Sequence, residues 1–283
     1  LLDNADRFVM LGVRHLFIDE VHKYRGWSRE IKEIYDSHKN LRIVLSVSSL
    51  LQLTDGDADL SRRMIPYVMP GLSFREYLRF DQGVEIEPIS LNDLLDTSGE
   101  YCAAVKDKCL PVKSFKEYLQ GGFYPFYFEN RRTYPVQVEN VVNYIIDYEL
   151  PAFRNIEVGN TRKLKALLRI LAQMVPYEID ISKLSRATSM DRPTIMKYLK
   201  NMEEAKLICR LFQNLDTISD LQKPDKILLD NPNLLYVLSD MNPEIGTVRE
   251  SFFCNQLISA GHRVEYGGLK TVDFNIDVDI VSR

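Results

Sequence analysis

Two adjacent acids, Asp19 and Glu20, follow directly on the apolar run Leu16-Phe17-Ile18. An aspartate in that position can hold Mg²⁺ through its water shell, and a glutamate after it can orient an attacking water for phosphoryl transfer. The pattern equally suits acids that close a strand because they are soluble, so the chemistry needs support from elsewhere in the chain. Ser48 and Ser49 end the next apolar run, Leu41 to Val47, where a hydroxyl could sense a γ-phosphate or the nucleophilic water. Arg62 and Arg63 could stabilise the charge of transfer, from the same subunit or across an oligomer; paired surface arginines are otherwise solvated or salt-bridged.

These groups need a scaffold. Residues Arg14 to Ile18 read as a short buried strand, and parallel sheets place their chemistry at the carboxyl ends of strands. Gly26 and Trp27 mark a loop, Ser28 is a candidate cap, and Ile31, Ile34 and Tyr35 share one helical face before the strand at 41–47. Strand, helix and strand at this spacing form a βαβ unit with a right-handed crossover. A short strand is expected around Tyr67-Val68-Met69, and Ser73 with Glu76 predicts a capping box.

The stretch Phe17-Ile18-Asp19-Glu20-Val21-His22-Lys23-Tyr24, Trp27-Ser28, the Ser48-Ser49 pair, Asp59-Leu60-Ser61-Arg62-Arg63 and Leu72-Ser73-Phe74-Arg75-Glu76-Tyr77-Leu78 together resemble a group of prokaryotic AAA-type P-loop ATPases. Members of that group carry a winged helix and an endonuclease-like region (a domain of unknown function) behind the ATPase core. The likeness continues through Gly121-Gly122-Phe123-Tyr124-Pro125 and Lys226-Ile227-Leu228-Leu229-Asp230, so it covers nearly the whole chain. It implies Walker B roles for Asp19 and Glu20, a sensor role for Ser48 or Ser49, and ATP with Mg²⁺ as ligands of the parent protein.

There are two departures. The group usually shows Thr-Gly before the two serines, where this chain has Ser46-Val47, which implies a stiffer loop. The Gly-rich phosphate loop with its Lys-Ser/Thr is expected many tens of residues before the acids, and Leu1 begins too late to include it. The expectation is therefore that this stretch, tested alone, neither binds ATP tightly nor hydrolyses it.

From Leu91 to about Leu171 apolar residues recur at helical spacing, as in a helical lid. Phe123, Tyr124, Phe126, Tyr127 and Phe128 around Gly121-Gly122 and Pro125 are assigned to core packing, with base stacking as the alternative. Ile181 to Thr188 predicts a helix, Ser189-Met190 a turn, and Asp191 caps a second helix with Pro193 in its first turn. Ile195, Leu199 and Met202 should face inward. Arg192, Thr194, Lys197 and Lys200 then face solvent beside Lys183 and Arg186, and Leu207 to Leu211 supplies the hairpin strand of a wing. The patch suits duplex DNA, while a winged helix in such an ATPase also suits packing between the motor and its neighbours.

By the resemblance, the tail begins an endonuclease-like fold in which Glu250 and Asp273 match metal-holding positions. The acid-spacer-lysine expected next is absent from Asp277 to Arg283, which favours a degenerate or truncated structural domain over a nuclease. The four histidines and four cysteines lack ligand spacing.

The expected architecture is thus α/β plus α+β. It comprises a partial AAA-type parallel sheet at 1–88, a helical lid and connector at 89–160, a winged helix-turn-helix at 161–222, and an incomplete endonuclease-like α/β domain at 223–283. A net charge of -4 gives no global attraction to nucleic acid, so binding would need the local patch. No apolar run is long enough to cross a bilayer, and a reducing, cytoplasmic setting is expected. The alternative to an ATPase is a non-catalytic DNA-binding or partner-docking module.

Overall fold

A computed structural model describes residues 1–47, 60, 62–154, 156–174, 180–212, 224, 226–240 and 242–265. The chain divides into two compact units, one of Leu1–Met69 with Tyr148–Glu157, the other of Pro70–Asp147 with Val158–Arg283. The break thus falls after Met69, whereas the sequence reading draws it after residue 88. Tyr77 and Leu78, fully buried, account for the difference: the rings of Phe74 and Tyr77 pack on Phe115, Tyr118 and Phe128 of the second unit.

The first unit runs α1 (Leu2–Met10), β1 (His15–Ile18), a 3-10 turn (Val21–Lys23), α2 (Trp27–Ser37) and β2 (Arg42–Leu45). Strands β1 and β2 pair in parallel, with Phe17 opposite Val44 and Ile18 opposite Leu45, so the expected βαβ unit is present. Helix α2 begins one residue earlier than its candidate cap: Gly26, at φ 82°, is the N-cap and Ser28 caps nothing. Starting there puts Trp27 in register with Ile31 and Ile34, and all three enter a core with Ala5, Val21, Leu41 and Leu60. Tyr35 stays 40% exposed.

The strands are not buried on both faces as expected. Leu16, Ile18, Ile43 and Leu45 lean on that core, while Phe17 and Val44 are 73% and 53% exposed. Successive residues of a strand point to opposite faces, and among the described residues α1 and α2 cover one face only. Residues 65–69 form no strand, and Ile65, Tyr67, Val68 and Met69 are exposed.

The second unit contains α3 (Phe74–Gln82), α4 (Leu91–Lys108), α5 (Pro111–Gln120) and α6 (Tyr134–Tyr144). A π-turn (Ile145–Glu149) leads from α6 into α7 (Leu150–Arg154), which groups with the first unit, and the second unit resumes with α8 (Thr161–Gln173), α9 (Ile181–Thr188) and α10 (Arg192–Glu204). The chain continues as β3 (Ile208–Leu211), β4 (Lys226–Leu229), α11 (Pro232–Leu238) and α12 (Ile245–Ser259). Helix α3 opens with the expected capping box, Ser73 and Glu76 bonding reciprocally.

Two close approaches hold the aromatic core. A Cβ on Gly71 would stand 2.4 Å from the Phe123 ring, and one on Gly122 2.6 Å from the Tyr77 ring. Behind them Asn233 of α11, with no exposed surface, is a five-bond clasp. Its Oδ1 accepts from the N–H groups of Gly122 and Phe123, each at 2.9 Å, and from the Tyr134 hydroxyl. Its Nδ2 donates to the carbonyls of Tyr118 and Leu119, each at 3.0 Å.

Candidate functional site

The carboxyl ends of β1 and β2 bring together Asp19, Glu20 and Ser46. Period-two alternation sends Asp19 and Ser46 to the exposed sheet face and Ile18 and Leu45 to the core. The Ser46 hydroxyl donates to Asp19 Oδ1 and accepts from the Glu20 N–H at 2.9 Å. Glu20 sits in the left-handed region at φ 51°, ψ 42°, which costs a non-glycine residue about 1–2 kcal/mol. Its carboxylate meets Lys23 Nζ at 3.3 Å and His22 Nε2 at 3.5 Å. An exposed aspartate anchored through one oxygen and, next to it, a glutamate in a specified backbone conformation are the residue types that a metal-and-water site uses.

Of the other expected members of the site, the arginines fall among the described residues. Ser48 and Ser49 lie outside the described residues. Arg63 is held by α2: its Nε and Nη2 donate to Asp36 Oδ1 and Oδ2 at 3.0 and 3.1 Å. The fork holds the Asp36 carboxyl below its usual range and ties the guanidinium to its own unit, the salt-bridged reading of that arginine. Arg62 is exposed.

Helices α9 and α10 form over the residues expected to be helical. The Asp180 carboxylate accepts from the N–H groups of Ser182 and Lys183, Ser189 turns the chain at φ 53°, and Asp191 accepts from the Thr194 N–H at 2.8 Å. Bonds from the Lys183 and Ser182 N–H groups hold the Asp180 carboxyl below its usual range, and the Thr194 hydroxyl together with its N–H does the same for Asp191. Strands β3 and β4 follow as an antiparallel pair with Ile208 opposite Leu229.

Lys183, Arg186, Arg192 and Lys197 are exposed, and Thr194 and Lys200 half-buried. Helix α10 buries more than the expected Ile195, Leu199 and Met202, because Met196, Tyr198 and Asn201 are inside too. What faces water is a strip through Arg192, Pro193 and Lys197, narrower than an exposed recognition face.

In the tail, Glu250 of α12 pairs with a lysine of β4. Its Oε1 accepts from the Lys226 ammonium at 2.5 Å, and Lys226 is 1% exposed. Asp273 lies outside the described residues, and among the described residues no three His, Cys, Asp or Glu side chains gather into a metal-binding group. Burial pushes the Cys254 thiol up to about 12 and that of Cys209 well up, so neither supplies a thiolate near neutral pH.

The parallel strand end with its acid pair falls in a segment that the family comparison identifies. Residues 2–78 match the AAA domain model. The AAA-matching segment therefore contains Asp19, Glu20, Ser46 and both arginines, and it ends at Leu78 inside α3. Residues 112–244 match a second model, a domain of unknown function (DUF8612), which spans α5 to the residue before α12.

Among curated proteins the chain is similar to two from Methanocaldococcus jannaschii, Uncharacterized protein MJ1637 and Uncharacterized protein MJ1544. The first is 24% identical over 75% of this chain and 45% of its own length, the second 26% identical over 70% and 42%. The chain thus spans less than half the length of these relatives. Among solved structures, the Walker-type ATPase PABY2304 of Pyrococcus abyssi aligns at 16% identity with a TM-score of 0.43, covering 83% of this chain and 65% of that one. Among the described residues no helix is long and apolar enough to cross a membrane.

Ser46 is the site residue that the spacing argument misses. Its position at the end of β2, in register beyond the Ile18–Leu45 pair, is the signal that could have found it.

Proposed function

We propose that this chain supplies the magnesium- and water-handling half of an ATP-hydrolysing AAA-type ATPase. The observation that carries the reading is the acid pair at the carboxyl end of β1, bound to Ser46 of the parallel neighbour, inside the segment that matches the AAA domain model. Asp19 would hold hydrated Mg²⁺, which would supply charge stabilisation for phosphoryl transfer, and Glu20 would orient the attacking water once its carboxylate leaves Lys23 and His22. Phosphate release by the full-length protein tests this directly. Glu20→Gln should lower turnover by about 10²-fold or more while nucleotide binding persists, and Asp19→Asn should weaken the Mg²⁺ dependence. Turnover unchanged in Glu20→Gln would reject the assignment.

A second reading concerns duplex DNA. It is supported by two capped helices followed by an antiparallel strand pair, with Lys183, Arg186, Arg192 and Lys197 exposed along them. That is the order of elements in a winged helix. Duplex affinity should fall steeply with salt, and Lys197→Glu should weaken it uniformly across sequences. No binding at low salt would leave α9 and α10 a packing role.

A further inference from the structure

Ser46 bonds to four consecutive residues of the opposite strand end. Its N–H donates to the Ile18 carbonyl at 2.9 Å, its hydroxyl donates to Asp19 and accepts from the Glu20 N–H, and its carbonyl accepts from the Val21 N–H at 3.1 Å. The two backbone bonds continue the pairing of β1 with β2 and would exist for any residue. The two hydroxyl bonds would not.

They act on the two acids in different ways. One fixes the rotamer of Asp19 by occupying Oδ1, which leaves Oδ2 as the oxygen open to a hydrated cation. The other supplies an acceptor to the Glu20 N–H where the chain leaves the strand in a left-handed turn. Without that acceptor the left-handed conformation loses a bond that offsets its steric cost.

We infer that Ser46 is a positioning residue: its hydroxyl sets the Asp19 carboxylate and the Glu20 backbone together, so that the metal and water functions share one reference point. The inference deepens the ATPase reading and rests on it for the metal. Ser46 is exposed and touches the acids rather than the core, so its removal disturbs the site before it disturbs the fold. A threonine keeps the hydroxyl and suits a strand end, and should substitute for it.

The test uses the 283-residue chain with Mn²⁺ as probe, comparing wild type with Ser46→Ala, Ser46→Thr and Asp19→Asn. Amide hydrogen exchange at Glu20 should rise about 10-fold in Ser46→Ala and return in Ser46→Thr, with Val21 unchanged because its acceptor is backbone. Mn²⁺ affinity, read by proton relaxation enhancement, should fall about 10-fold in Ser46→Ala, recover in Ser46→Thr and be lost in Asp19→Asn. Ser46→Ala matching wild type in both readouts, with Asp19→Asn still impaired, would overturn the inference and spare the metal site. Mn²⁺ binding that Asp19→Asn leaves intact would instead overturn the metal reading of Asp19. A Ser46→Ala chain that unfolds while Ser46→Thr behaves as wild type in thermal midpoint but not in Mn²⁺ affinity would also overturn it, since the hydroxyl would then serve the fold alone.

Discussion

Replacing Asn233 by alanine should be among the most destabilising single changes in the second unit. The substitution strands five groups at once: the N–H groups of Gly122 and Phe123, the carbonyls of Tyr118 and Leu119, and the Tyr134 hydroxyl. Each buried group left without a partner costs about 1–3 kcal/mol, so the additive ceiling is on the order of 10 kcal/mol. The amide vacates room for one water, which can satisfy up to four of the five, and this lowers the expected loss to about 3–5 kcal/mol. For a unit of this size that corresponds to a drop in thermal midpoint on the order of 10 °C.

Circular dichroism reads the loss. Trp27, the sole tryptophan, lies in the first unit, so its fluorescence is a control that should move less. Asn233→Asp keeps the acceptor but turns an oxygen toward the two carbonyls that Nδ2 served. The aspartate variant should therefore also be destabilised, but less than Asn233→Ala, because the three donors to Oδ1 keep their acceptor. A loss below about 1 kcal/mol in Asn233→Ala would refute the clasp as a determinant of stability.

Further outcomes follow from other contacts. Gly71→Ala should lower the thermal midpoint, since its Cβ would meet the Phe123 ring at 2.4 Å, and adding Phe123→Leu should return part of the loss in a double-mutant cycle. Asp230, its pKa pushed up to about 6 chiefly by burial, is favoured in its protonated form by the fold. Stability of the wild type should fall as pH rises from roughly 4 to 6, and Asp230→Asn should flatten that slope in urea titrations at several pH values. Glu250→Ala removes the carboxylate that the Lys226 ammonium meets at 2.5 Å and should lower the urea midpoint more than the paired change Lys226→Met with Glu250→Leu.

Local signals read well from the sequence because they need only neighbours. The Ser73–Glu76 box, the Asp191 cap with Pro193 behind it, and the run from Ile181 to Thr188 are each decided within a turn or two of chain. The βαβ order around Asp19 was legible for the same reason. Contacts across long separations were not: Asn233 reaches residues more than 110 positions away, and nothing in its own surroundings announces that. The pairing of Glu250 with Lys226 was hidden too, because it exists only once β4 folds beside α12. Helix α10 shows one apolar stripe in sequence, but its Met196 and Tyr198 are amphipathic enough to be buried or exposed, and tertiary packing chose burial.

The alternation along β1 also sets how the chain tolerates insertion and deletion. Phe17 in solvent and Asp19 at the open strand end are one fact, since both follow from Leu16 and Ile18 pointing inward. One residue gained or lost within His15–Ile18 would turn the carboxylate into the core and Ile18 into water. One residue gained in the exposed stretch Lys23 to Arg25 would leave that parity untouched. Length variation should therefore be found after the acids and not before them.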